Sequence, residues 1–101
     1  MGRTSWTELK DKKLATMSEA ERAEFDDAYA AAKLAGAVGE QIRTAREAAG
    51  LSQRELARRM GTSQAAVGRL EAGGVGATLT TLQRVASALG LEVNIELRPC
   101  G

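Results

Sequence analysis

Between Ser52 and Gly73 the chain starts a helix, stops it and starts a second: SQRELARRMGTSQAAVGRLEAG. Ser52 and Glu55 make the S-x-x-E pattern, in which each side chain satisfies a free backbone N–H at the other's position. Leu56, Ala57 and Met60 then form the apolar stripe of a half-buried helix. Gly61 falls where a left-handed residue ends that helix, since glycine takes positive φ without a Cβ clash. Thr62 is placed to cap the next helix, which turns Val67 and Leu70 inward and Ser63, Gln64, Ala65 and Arg69 outward. The small Ala57 marks the point where the two helices cross closely. This is a helix–turn–helix arrangement, and its second helix carries the kind of outer face that lies in a DNA groove.

The flanking residues supply the rest of a small helical domain. Ser18 and Glu21 repeat the capping pattern and open an alanine-rich helix running to about Leu34, with Phe25, Ala28, Tyr29, Ala32 and Ala35 on one face. Gly36 and Gly39 weaken helix and predict a break or bend there. Residues 40–49 form the next helix, burying Ile42, Ala45 and Ala49, and Gly50 closes it. The run GGVG at 73–76 reads as a flexible loop. Thr78 or Thr80 caps a further helix with Leu82, Val85, Ala86 and Leu89 inward, ended by Gly90.

Residues 91–97, LEVNIEL, alternate Leu91, Val93, Ile95 and Leu97 against Glu92, Asn94 and Glu96, which predicts a strand ended by Pro99. A lone strand in an otherwise helical chain leaves backbone groups unpaired. The simplest remedy is pairing with the same strand of a second copy across a two-fold axis. The alternative is a tail that packs its apolar side chains on the last helix. The expected fold is all-α, in three parts: an N-terminal arm and helix (1–36), the central domain (37–90) and a strand with its tail (91–101).

With 101 residues, 44% of them hydrophobic, the chain supports one small domain with an arm and a modest aliphatic core. Its net charge is only +1, so it is not a basic nucleic-acid coat, but the charge is unevenly spread. Arg43, Arg46, Arg54, Arg58, Arg59 and Arg69 gather in the middle, whereas Glu19, Glu21, Glu24, Asp26 and Asp27 gather in the N-terminal helix. The single Cys100 makes no internal disulfide, which suits a reducing compartment. No membrane span or signal-peptide core is present, so a cytoplasmic location is expected. Without histidine, and with one cysteine, neither a metal site nor a nucleophile–base pair stands out. The reading is therefore of a protein that is not an enzyme and needs no cofactor, with Asp26 and Asp27 as a solvated helix face.

From Gly39 to Leu89 the sequence resembles the Xre (phage-repressor, Cro/CI-type) helix-turn-helix family, whose domain is lambda-repressor-like. Gln53, Leu56, Ala57, Gly61, Val67, Leu70, Glu71 and Gly73 carry the resemblance. It implies that Arg46 pairs with Glu71, tying the first domain helix to the end of the recognition helix. It also implies base contacts from Ser63, Gln64, Ala65 and Arg69 in the major groove of double-stranded DNA, and a phosphate clamp at Gln53. The chemistry agrees: glutamine bonds adenine N6 and N7 together, arginine forks onto guanine O6 and N7, and the Ala65 methyl suits a thymine methyl. Arg54 and Arg43 are further phosphate candidates, while Arg58 and Arg59 read equally well as solvated. The loop after the recognition helix departs from the family in lacking lysine or arginine, and Gly68 stands where a larger residue is commoner. So few basic contacts favour a homodimer with two recognition helices about 34 Å apart, reading a palindromic operator.

The whole layout is similar to HigA-type antitoxins of bacterial toxin–antitoxin operons, which place such a domain after an N-terminal helical extension. The three aromatics, Trp6, Phe25 and Tyr29, all lie in that extension beside its acidic cluster. Aromatics of this kind favour binding hot spots, and acidic charge suits a basic partner such as a HigB-like ribonuclease toxin. Packing of Phe25 and Tyr29 on the domain as added core is the plainer reading. The expected function is an antitoxin that represses its own operon, with a stand-alone Xre-type repressor as the alternative.

Overall fold

In the computed structural model, residues 18–73 and 77–100 are described. They contain four helices: α1 (Glu19–Ala48), α2 (Gln53–Met60), α3 (Gln64–Glu71) and α4 (Leu79–Leu89). The expectations for residues 1–17, including Trp6, and for positions 74–76 of the loop lie outside the described residues. None of the four helices is long and apolar enough to cross a membrane.

Each helix starts at a hydroxyl that accepts from a backbone N–H three residues on. Ser18 Oγ takes Glu21 N–H at 3.2 Å, Ser52 Oγ takes Glu55 N–H at 3.1 Å, and Thr78 Oγ1 takes Thr81 N–H at 3.1 Å. The cap of α3 is Ser63, which accepts from Ala66 N–H at 3.1 Å, and not Thr62 as the sequence suggests. Both are cap-forming residues, and Ser63 takes the role with the extended backbone of an N-cap, at φ −92° and ψ 155°. At Ser52 the capping box is half made, because Glu55 accepts from the Ser52 hydroxyl at 3.3 Å rather than from its backbone.

Gly61 ends α2 in the left-handed region, at φ 71° and ψ 35°. The Thr62 N–H then reaches back to the Ala57 carbonyl at 2.9 Å, closing the last turn. The same six-residue closure ends α1 (Leu51 N–H to Arg46 carbonyl, 3.1 Å) and α4 (Leu91 N–H to Ala86 carbonyl, 2.8 Å).

The break expected at Gly36 and Gly39 is absent, and α1 runs through both. Gly39 serves packing instead: a Cβ there would lie 2.5 Å from the Glu71 carbonyl oxygen and 2.6 Å from that of Leu70. Only a bare backbone lets α1 cross the end of α3 so closely. Gly73 likewise abuts the backbone of Gly36, where a Cβ would come to 2.8 Å from its Cα.

Packing divides the chain between Ala31 and Ala32. In the first unit the described residues are the opening half of α1, where Phe25 is half-buried while Ala28 and Tyr29 are exposed. In the second unit Ile42, Leu56, Ala57, Val67, Leu70 and Val85 form a wholly aliphatic core, with Leu56 and Val67 sealed from solvent. Val38, Met60, Leu82, Ala88 and Leu89 close around it. Leu51 is buried as well, whereas Ala49, expected inside, is exposed because α1 has already ended.

The strand expected at 91–97 does not form: residues 91–100 carry no secondary structure. Among the described residues no second extended segment exists to pair with it. Leu91, Val93 and Ile95 instead line a cavity of about 330 Å³ with Ile42, Val85 and Leu89, while Leu97 is 95% exposed.

Candidate nucleic-acid interface

The site is built around a carboxylate. Val67, Leu70 and Glu71 share the inner face of α3, so Glu71 is drawn under α1 and only 8% of it is exposed. Gly39, Ile42 and Arg46 share one face of α1, and the close crossing at Gly39 brings Arg46 over Glu71. The guanidinium grips the carboxylate with both arms, Nε to Oε2 at 2.6 Å and Nη2 to Oε1 at 3.0 Å. Its third nitrogen, Nη1, donates to the Leu51 carbonyl at 2.8 Å. Gln53, the first residue of α2, donates Nε2 to Glu71 Oε1 at 3.2 Å.

This network joins the end of α1, the turn after it, the start of α2 and the end of α3. Two-armed charge-assisted bonds fix orientation as well as adding energy. Burial pushes the Glu71 carboxyl up, but hydrogen bonds from Arg46 and Gln53 outweigh that and hold it below its ordinary value. The hydrogen bond to Glu71 correspondingly raises Arg46, against the opposing effect of burial.

With its inner face fixed, α3 presents Gln64, Ala65 and Arg69 to solvent, together with the capping residue Ser63. The Ser63 oxygen is engaged by Ala66 N–H, which leaves its proton as the group available to a base. Beside α3 lie two recesses. Ser52, Gln53, Arg54 and Gln64 line the first, and Arg43, Gln53, Gly68 and Glu71 line the second, with Arg46 at the back of both. Arg54 is exposed and makes no ion pair among the described residues. Arg43 is turned along α1, donating Nε to Glu47 Oε1 at 3.0 Å, and that hydrogen bond raises its pKa. Arg59 reaches the Ala88 carbonyl at 3.4 Å, a contact between α2 and α4 that the sequence did not suggest.

The helix-turn-helix family profile matches residues 42–95, more than half of the chain. No curated protein matches. Among solved structures, the chain is similar to the restriction-modification controller protein C.AhdI from Aeromonas hydrophila. The two are 33% identical, with a TM-score of 0.58 over 60% of this chain and 88% of that one. The chain belongs to the helix-turn-helix family and is a DNA-binding regulator of its Xre (Cro/CI) type.

Proposed function

We propose that this protein is a homodimeric transcriptional repressor that reads a palindromic operator. The observation that carries the reading is the Arg46–Glu71–Gln53 network, which fixes the start of α2 against the end of α3 and leaves the outer face of α3 open. In this reading Gln64, Ala65, Arg69 and the Ser63 hydroxyl touch base edges. Gln53, Arg54 and Arg43 hold phosphates, Arg43 exchanging Glu47 for one. Similarity to a restriction-modification controller supports a regulatory role over a catalytic one.

Dimerisation is assigned to residues 91–97, where Leu91, Ile95 and Leu97 are exposed in the single chain and Val93 is half-buried. In this reading, strand pairing with a second copy satisfies their backbone groups and links two α3 helices, as half-sites about one DNA turn apart require. Fluorescence anisotropy with labelled duplexes from the region upstream of the gene tests the reading. Saturable binding, weakened by unlabelled copies of the same duplex far more than by unrelated DNA, is expected. Equal competition by both removes sequence-specific recognition.

A second reading, the antitoxin, draws support from the opening of α1. That segment is acidic, and on it Tyr29 is 54% exposed. Such a surface fits a small basic protein. Co-expression with an adjoining small gene and a growth assay separate the readings: rescue of growth supports the antitoxin, and no toxicity with no co-purification supports the repressor alone.

A further inference from the structure

Gly68 sits in the middle of α3 with ordinary helical φ, at a position where glycine is a poor helix former. The fold does not call for it. A Cβ built there would meet only the Gln53 Oε1, at 3.8 Å, an ordinary van der Waals distance. This sets it apart from Gly39 and Gly73, whose neighbours leave no room for a side chain.

What Gly68 does adjoin is the outer surface. It lies one turn beyond Gln64 and helps line the recess of Arg43, Gln53 and Glu71. Glu71 holds the Gln53 carboxamide by one Nε2 hydrogen, so the second hydrogen remains free to donate. The recess thus offers a fixed amide donor, a guanidinium at its rim and a floor of bare helix backbone.

Resting on the DNA-binding reading, we propose that Gly68 is the point where the sugar–phosphate backbone of DNA comes closest to this protein. Its missing side chain lets a phosphate and its deoxyribose sink beside Gln53 and within reach of Arg43. Any side chain on this floor holds the phosphate away from the Gln53 amide and from Arg43. The backbone is the same in every sequence, so Gly68 acts on affinity for all duplexes rather than on the choice of bases.

Gly68→Ala and Gly68→Gln test this, with melting temperature and duplex affinity measured on the same samples. The upstream duplex and an unrelated duplex are compared at one salt concentration. Expected are a melting temperature about 4–8 °C higher for Gly68→Ala and about tenfold weaker binding of both duplexes, with Gly68→Gln weaker still. Undiminished binding by Gly68→Ala overturns the proposal, as does a lower melting temperature, which would return Gly68 to the needs of the fold. A loss confined to the upstream duplex also overturns it, by making Gly68 a base-reading position. If the unsubstituted chain retains neither duplex, the DNA-binding reading itself falls.

Discussion

Gly39 and Gly36 lie on the same helix three residues apart, and they invite opposite responses to the same substitution. At Gly39 an added methyl meets two backbone carbonyls that cannot rotate away, so α1 and α3 must separate. Gly39→Ala should cost on the order of 3 kcal/mol or more, seen as a melting temperature lower by about ten degrees or more. At Gly36 nothing lies within 4 Å of the added methyl, and Gly36→Ala should raise stability by about 0.5–1 kcal/mol. Parallel thermal melts distinguish the two, and equal effects would refute the assigned roles. Glu71 makes a second prediction at this scale. A carboxylate held below its ordinary pKa stabilises the fold fully above the unfolded value and loses that contribution as pH falls through the folded one. Melting temperature should therefore drop below the ordinary carboxylate range, with Arg46 charged throughout. Glu71→Ala should be less stable by about 3 kcal/mol near neutrality and show a flatter acid limb. The capping hydroxyls of α1, α2 and α4 and the closing glycines were readable from sequence because their partners lie within a few residues, whereas at α3 two adjacent hydroxyls, Thr62 and Ser63, offered the same pattern. The role of Gly39 was not, because its partners are Leu70 and Glu71, and propensity reports only the local cost of glycine.

At the scale of the element, the proposed reading gives the outer residues of α3 the choice of bases and Gln53, at the start of α2, the hold on the backbone. Arg69→Ala should relax preference at a single base position while leaving binding to unrelated duplex nearly unchanged. Gln53→Ala should weaken every duplex alike, and competition assays with a panel of single-base variants tell the patterns apart. The outer face of α3 was legible because the period of Val67 and Leu70 leaves it no other orientation. The tail was legible only as a pattern. Alternation in residues 91–97 records which side chains want burial, but a strand also needs a neighbour, and sequence periodicity does not supply one. In the single chain those residues cover part of the cavity beside α4 without forming a ladder.

For the whole molecule, the modest charge of +1 leaves little non-specific attraction to DNA, and the proposed dimer answers this by linking two recognition helices. Removing residues 91–101 should abolish dimerisation and tight operator binding together, as read by sedimentation and anisotropy. A truncated monomer that still held its operator tightly would remove the tail from the mechanism. The continuity of α1 has a further consequence, in the lifetimes of its amide protons. The helix is unbroken from Glu19 to Ala48, yet its buried residues, Gly39 and Ile42, both lie in the later half. Amides near Ile42 should exchange with deuterium only through global unfolding, and those around Asp26 through local fraying, giving one helix a graded clock. Anything that closes over the acidic opening of α1 in the cell would slow the fast end of that clock, and so announce itself before it has been isolated.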